Sequence, residues 1–424
     1  MTVESPSIHQ TSWQFRFFTI WTGQAFSILG SHLVGFAFVW HLTETTGSAT
    51  VLTIGTLMNV LPMIIISPIA GALVDRWNRK MIMILFDSIT ALFTILIAIL
   101  FYLDIAQIWH IYLAMLIRSA CGQFQWAAIS ASTSLMVPKE SLPHIAGANQ
   151  ALQGVVNIIG PALGAFLIAV LPIHGVLSID VITAFMGIVP LFFFTIPQPV
   201  RKFGNTDATQ KIKTSVWRDF IEGFQYVLTW KSLMGIILIA MLVNFLINPA
   251  FALLPLVITN HFSKGAYELG FINSVYGIGV ILGGLALSAW GGFKNRILTS
   301  LVALIFAGGG VLAIGLAPSS QFLLAVGGMA LFGFFIPMVN GPLFAAMQAK
   351  VEPEIQGRVF SLLHAGAGLT SPLGLIIAGP IADLTSNQLW FIVGGIATIL
   401  TGLVALFKPA ILEIGLDPED NPAH

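Results

Sequence analysis

Long apolar runs separated by short polar segments set the pattern of the chain. A helix needs about 20 mainly apolar residues to cross a bilayer, and runs of that kind fall at approximately 15–40, 50–75, 81–103, 108–134, 145–171, 174–197, 233–259, 267–290, 297–316, 321–346, 358–381 and 389–408. Backbone polar groups in lipid must be satisfied inside the segment or by a closed barrel. The ten-residue alternation of a barrel strand is absent, so the pattern predicts an all-α integral membrane protein with twelve transmembrane helices.

Charge fixes the expected orientation. Of 18 Lys and Arg residues, 16 fall in segments on one side, only Lys264 falls on the other, and Arg118 lies within a run. Cytoplasmic loops carry that excess, so both termini are expected in the cytoplasm. The first 14 residues have neither a basic leader nor a small-residue cleavage site, and no removable signal is expected.

The loop of residues 198–231 is the longest and most charged, and Val216, Phe220, Phe224 and Val227 recur in it at helical spacing. It is expected to hold a surface amphipathic helix and to divide the chain into six-helix bundles at 1–197 and 232–424. The halves echo one another. AGANQALQGVVNIIGPALG (146–164) aligns with GRVFSLLHAGAGLTSPLG (357–374), and the basic loop after the second run has a weaker counterpart at 291–296. Parallel six-helix repeats place a substrate site between the halves, near the bilayer midplane.

Composition narrows the function further. Hydrophobic residues make up 56% of the chain and charged residues 8%, with mean hydropathy +0.91 and no net charge. A basic footprint for nucleic acid is missing. Cys121 is the sole cysteine, which excludes an internal disulfide and a cysteine metal site. HExxH, GxSxG and Gly-Lys phosphate-loop signatures are absent, which argues against an enzyme and against a self-contained ATP-driven pump. No filter sequence or ring of like charge points to a channel.

The stretch GALVDRWNRK (71–80) resembles the loop signature between the second and third helices of the major facilitator superfamily, with Asn78 where that family usually has Gly. Arg118 followed by Gly122 resembles its fourth-helix motif, and Gly160-Pro161-Ala-Leu-Gly164 its antiporter motif in the fifth helix. Within the superfamily, FFTIWTGQAFS, LTETTGSATVL, GRVFSLL and SPLGLIIAGPIAD resemble the macrolide-efflux group of bacterial drug exporters. The resemblance spans essentially the whole chain. It implies a monomeric carrier in the bacterial cytoplasmic membrane that needs no cofactor, exports a small lipophilic substrate and draws on a proton gradient.

The resemblance also implies residue roles. Asp75, with Gly71, Arg76, Arg79 and Lys80, would latch the halves on the cytoplasmic side against the start of the eleventh helix near Gly357; the plain alternative is that these cations only enforce topology. Ionisable residues inside spans are costly and are functional candidates by default. Arg118, Asp87 and Asp180 stand out, with an Arg118–Asp87 ion pair within reach across neighbouring helices. Each can instead serve structure alone, and Asp180 lies outside the helices the family places around its cavity. Gln24, His32, Gln123, Gln125 and Trp126 in the first half, and Asn244, Asn248 and Asn340 in the second, would supply sparse polar contacts in an apolar cavity. Interhelical hydrogen bonds without a ligand are the competing reading. A lipid or siderophore exporter is the alternative carrier, since a buried Arg suits an anionic amphiphile.

Overall fold

The structure is a computed structural model that describes residues 8–74, 76–196, 198, 230–351 and 353–413. The helices are α1 (Ile8–Thr46), α2 (Ala49–Val74), α3 (Arg79–Tyr102), α4 (Ile108–Met136), α5 (Leu142–Val170), α6 (Ile173–Phe193), α7 (Lys231–Ala252), α8 (Ala266–Trp290), α9 (Arg296–Leu316), α10 (Phe322–Lys350), α11 (Pro353–Leu384) and α12 (Asn387–Leu406). Among the described residues, ten helices are long and apolar enough to cross a membrane. The two others are α4, whose hydropathy is lowered by Arg118, Gln123, Gln125 and several serines, and α11, which contributes the shorter apolar stretch Gly368–Leu384. The amphipathic helix expected around 216–227 lies outside the described residues.

Local chemistry sets the helix ends. Asn78 caps α3 by accepting a hydrogen bond from the Met81 amide, and Asn295 caps α9 by accepting from Leu298, the N-cap preference of a short polar side chain. Gly47 (φ +60°) turns the chain between α1 and α2, a backbone conformation that a Cβ would strain.

The chain forms two compact units. The first holds α1, α3 to α6, most of α2, and residues 266–270 at the start of α8; the second holds α7, α9 to α12, the rest of α8, and residues 47–53. In the first unit α1 packs on α5 and α6, and α3 packs on α4 and α6. In the second, α7 packs on α11 and α12, and α9 packs on α10 and α12. Adding six to each helix number of the first set yields the second, so the internal echo in the sequence extends to the packing.

Each unit has an apolar interior and an apolar exterior. Val74, Ile82, Met83, Ala128 and Leu191 are buried together in the first unit, and Leu233, Ile237, Met347 and Val359 in the second. Outward-facing Phe185, Phe192, Leu285 and Ile376 are exposed, as the sides of helices surrounded by lipid require. In the second unit small residues bring helix backbones together. Gly310 of α9 faces Gly328 of α10, and Gly395 of α12 stands where a Cβ would lie 2.6 Å from the Leu312 amide of α9, the close approach expected where lipid offers no hydrophobic drive to association.

Candidate functional site

The polar centre of the first unit follows from the antiparallel register of α3 and α4. Thr94 of α3 lies opposite Arg118 of α4. Seven residues earlier on α3 is Asp87, seven later on α4 is Gln125, and these two also bond to one another. Seven residues of helix rise is roughly 10 Å, so the register separates two polar layers along the bundle. Phe86 and Phe124 stack beside the Asp87 layer, with ring centroids 4.2 Å apart.

In the first layer Arg118 is neutralised. Its Nη1 donates to Asp180 Oδ2 of α6 at 2.6 Å and to Thr94 Oγ1, and its Nη2 donates to Ser31 Oγ of α1 at 3.2 Å. Thr94 donates in turn to Asp180 Oδ2 at 3.1 Å. Gly30 makes room for this group, because a Cβ there would stand 2.9 Å from Asp180 Oδ1. The ion pair expected between Arg118 and Asp87 is therefore made with Asp180. The axial separation between layers is the reason.

In the second layer Asp87 is 2% exposed and meets neutral amides. Gln24 Nε2 of α1 donates to Asp87 Oδ2 at 3.2 Å and to the Gly187 carbonyl of α6 at 3.2 Å. Gln125 Nε2 donates to Asp87 Oδ1 and, at 3.0 Å, to Gln24 Oε1. Among the described residues no cation forms an ion pair with this carboxylate. Gln24 and Gln125, expected as cavity residues, here surround an acid. Trp126 and Gln24 also border a cavity of about 60 Å³, and Gln123 donates to the Ser119 carbonyl of its own helix at 3.5 Å.

The antiporter segment packs on α1. A Cβ at Gly160 would lie 3.4 Å from His32 Cβ, and one at Gly164 would lie 3.1 Å from the Phe36 ring. His32 therefore stands beside the Gly160-Pro161 turn of α5.

The second unit contains a cavity of about 490 Å³ bordered by Asn244, Asn248, Asn273, Tyr276, Asn340 and Thr398 among many apolar side chains. Asn248 Nδ2 donates to Asn244 Oδ1 at 3.1 Å, and Asn244 Nδ2 donates to the Ala240 carbonyl at 2.8 Å. Thr398 is buried with its hydroxyl unpartnered. Among the described residues, no acidic or basic side chain lines this cavity. The three asparagines expected here do come together; Asn273, Tyr276 and Thr398 were not foreseen, because uncharged polar residues inside apolar runs give no sign of which face they occupy.

Around the 71–80 motif, Arg79 Nη1 donates to the Ala131 carbonyl near the end of α4 at 2.7 Å, and Lys80 Nζ donates to the Phe192 carbonyl at the end of α6 at 3.4 Å. Cations on terminal helix carbonyls are favourable with respect to the helix dipole. In the second unit Arg296, the residue after the α9 cap, likewise donates to the Ala345 carbonyl of α10 at 3.3 Å. Asn78-Arg79 and Asn295-Arg296 thus do the same work in the two units, which accounts for Asn at position 78. Arg76 is exposed, Gly71 has open space where a Cβ would stand, Asp75 lies outside the described residues, and Gly357 is described only as part of α11.

A helical membrane protein with repeated six-helix packing and charged groups buried in one half has the form of a transport protein, and the Major Facilitator Superfamily profile matches residues 20–363. The chain belongs to that superfamily and is not an enzyme. It is 33% identical over 404 residues to macrolide efflux protein A of Streptococcus pyogenes, covering 95% of this chain and 97% of that one. It is 25% identical to the multidrug efflux pump Tap of Mycolicibacterium fortuitum, covering 91% and 94%. Among solved structures, a POT family transporter in complex with a thioalcohol-conjugated peptide superimposes with a TM-score of 0.69 at 14% identity, covering 95% of this chain and 96% of that one, a likeness of fold.

Proposed function

We propose that the protein is a secondary active exporter that moves a lipophilic small molecule, macrolide or similar, out of the cytoplasm in exchange for protons. It works as a monomer in the bacterial cytoplasmic membrane by alternating access, with twelve spans and both termini inside. Asp75 serves as the cytoplasmic latch.

The observation that carries proton exchange is Asp87, a buried carboxylate held by Gln24 and Gln125 with no paired cation among the described residues. Such a group can take up and release a proton while its amide partners, which both donate and accept, adjust to either form. Arg118 cannot do this, since guanidinium does not deprotonate in proteins, and its pairing with Asp180 holds it as a fixed strut. The same pairing weighs against the alternative of an anionic amphiphile, because the positive charge is already occupied.

The test is accumulation of macrolides, cationic dyes and anionic amphiphiles in an efflux-deficient bacterium, with and without a protonophore, for the wild type and for Asp87→Asn. Reduced accumulation that is abolished by the protonophore and by Asp87→Asn is the expected result. Export that continues in Asp87→Asn and still responds to the gradient would remove Asp87 from the coupling, and no export of any compound would overturn the drug-efflux reading.

A further inference from the structure

The loop between α1 and α2 is tied to the far end of α11 in a way the proposed mechanism does not use. Ser48 precedes α2, and its hydroxyl accepts from the Val51 amide at 3.4 Å. The two preceding amides, Ala49 and Thr50, donate to the carboxylate of Asp383 at 2.6 and 3.0 Å, and Ser48 Oγ donates to the same carboxylate at 3.0 Å. A helix start leaves four amides without intrahelical partners. Here one carboxylate from a residue more than 300 positions away supplies partners for two of them, at the end of the helix dipole that favours an anion.

The backbone is shaped for this contact. Gly379 lies one turn before Asp383, and a Cβ there would meet the Thr53 hydroxyl and stand 2.8 Å from Thr50 Cα. Residues 47–53 accordingly pack with the second unit, although the remainder of α2 belongs to the first. The sequence around the carboxylate, Ala378-Gly379-Pro-Ile-Ala-Asp383, also repeats the spacing of Ala70-Gly71-Ala-Leu-Val-Asp75 at the opposite end of α2.

Asp383 is nevertheless exposed, and it borders a polar cavity of about 290 Å³ together with Asn260, His261, Ser386 and Asn387. Water and these polar groups can take over its hydrogen bonds when α2 leaves. The cap is therefore readily exchanged, unlike the buried Arg118–Asp180 pair.

We propose that Asp383 is a releasable latch on the face away from the cytoplasm. It holds the start of α2 while that face is closed and lets go each time that face opens. This rests on the reading of the protein as an alternating-access carrier.

The test places a single reporter, Ser48→Cys, in a Cys121→Ser background and follows labelling by a membrane-impermeant maleimide in whole cells. At rest, with a protonophore present, Asp383 shields position 48, and Asp383→Asn in the same background raises the labelling rate by about tenfold, the equivalent of one charge-assisted hydrogen bond. Equal resting rates with and without Asp383 would overturn the latch, whether or not a macrolide is exported. With a macrolide as the probe and the gradient intact, labelling of the Asp383 protein rises during turnover. A rate that stays at its resting value while the macrolide is being exported would reduce Asp383 to a static cap and overturn the proposal. Absence of macrolide export in the wild type bears on the substrate alone, since the resting comparison still decides the latch.

Discussion

The two units share a packing scheme and differ in what they bury. The first encloses Arg118, Asp180 and Asp87 within a network of hydroxyls and amides. The second encloses a cavity whose polar lining is asparagines, a tyrosine, a serine and a threonine, with no acid or base among the described residues. One helix arrangement thus supports a charged interior and a neutral one. The difference teaches that, under the proposed exchange, proton handling would fall to the first half and recognition of a lipophilic molecule to the second, so each would be altered with limited effect on the other.

The largest expected effect breaks the charged half. Asp180→Asn leaves Arg118 buried without its counter-ion, and removing one partner of a buried pair costs about 3–5 kcal/mol. Loss of folded protein in the membrane, or a sharply lowered melting temperature in detergent, is the expected outcome, and normal stability would show that Thr94 and Ser31 suffice to hold the guanidinium. Asp87→Asn comes next. It keeps the shape and a hydrogen-bonding oxygen, so stability stays within about 1 kcal/mol while gradient-driven efflux falls at least about tenfold, measured by dye or macrolide accumulation.

Smaller effects belong to the neutral half. Asn248→Leu removes one polar contact from the cavity and is expected to shift the order of preferred substrates by several-fold, on the order of 1 kcal/mol per lost hydrogen bond, with proton dependence unchanged. An unaltered substrate order would detach the cavity from recognition. Smallest of all is Thr398→Val. It replaces an unpartnered buried hydroxyl by a methyl, and the melting temperature is expected to stay level or rise slightly, by about 1 kcal/mol of stability or less. A clear loss of stability there would reveal a partner for the hydroxyl.

Much of this organisation was legible in the sequence because lipid leaves few choices. Apolar run length marked the helices, and the alignment of 146–164 with 357–374 announced the repeat. The charged residues within spans were equally easy to find. Their pairing was not, because it depends on axial register: a shift of two turns decides whether Arg118 meets Asp87 or Asp180, and run boundaries are too coarse for that. The weaker echo at 291–296 was visible, but its meaning, an Asn cap followed by an Arg reaching the neighbouring helix, needed the hydrogen bonds of Asn78, Asn295, Arg79 and Arg296. Asp383 drew no notice, since a carboxylate beside a turn looks like ordinary surface until its three donors are seen.

The apolar exterior has a thermal consequence. Phe185, Leu285 and Ile376 already face lipid in the folded protein, and separating the helices within the bilayer would expose buried residues such as Leu177 and Val311 to hydrocarbon, not to water. The large heat-capacity increment of soluble proteins comes from hydrating apolar surface. With that hydration missing, the stability of the helix assembly should vary only gently with temperature, and cooling should not loosen it.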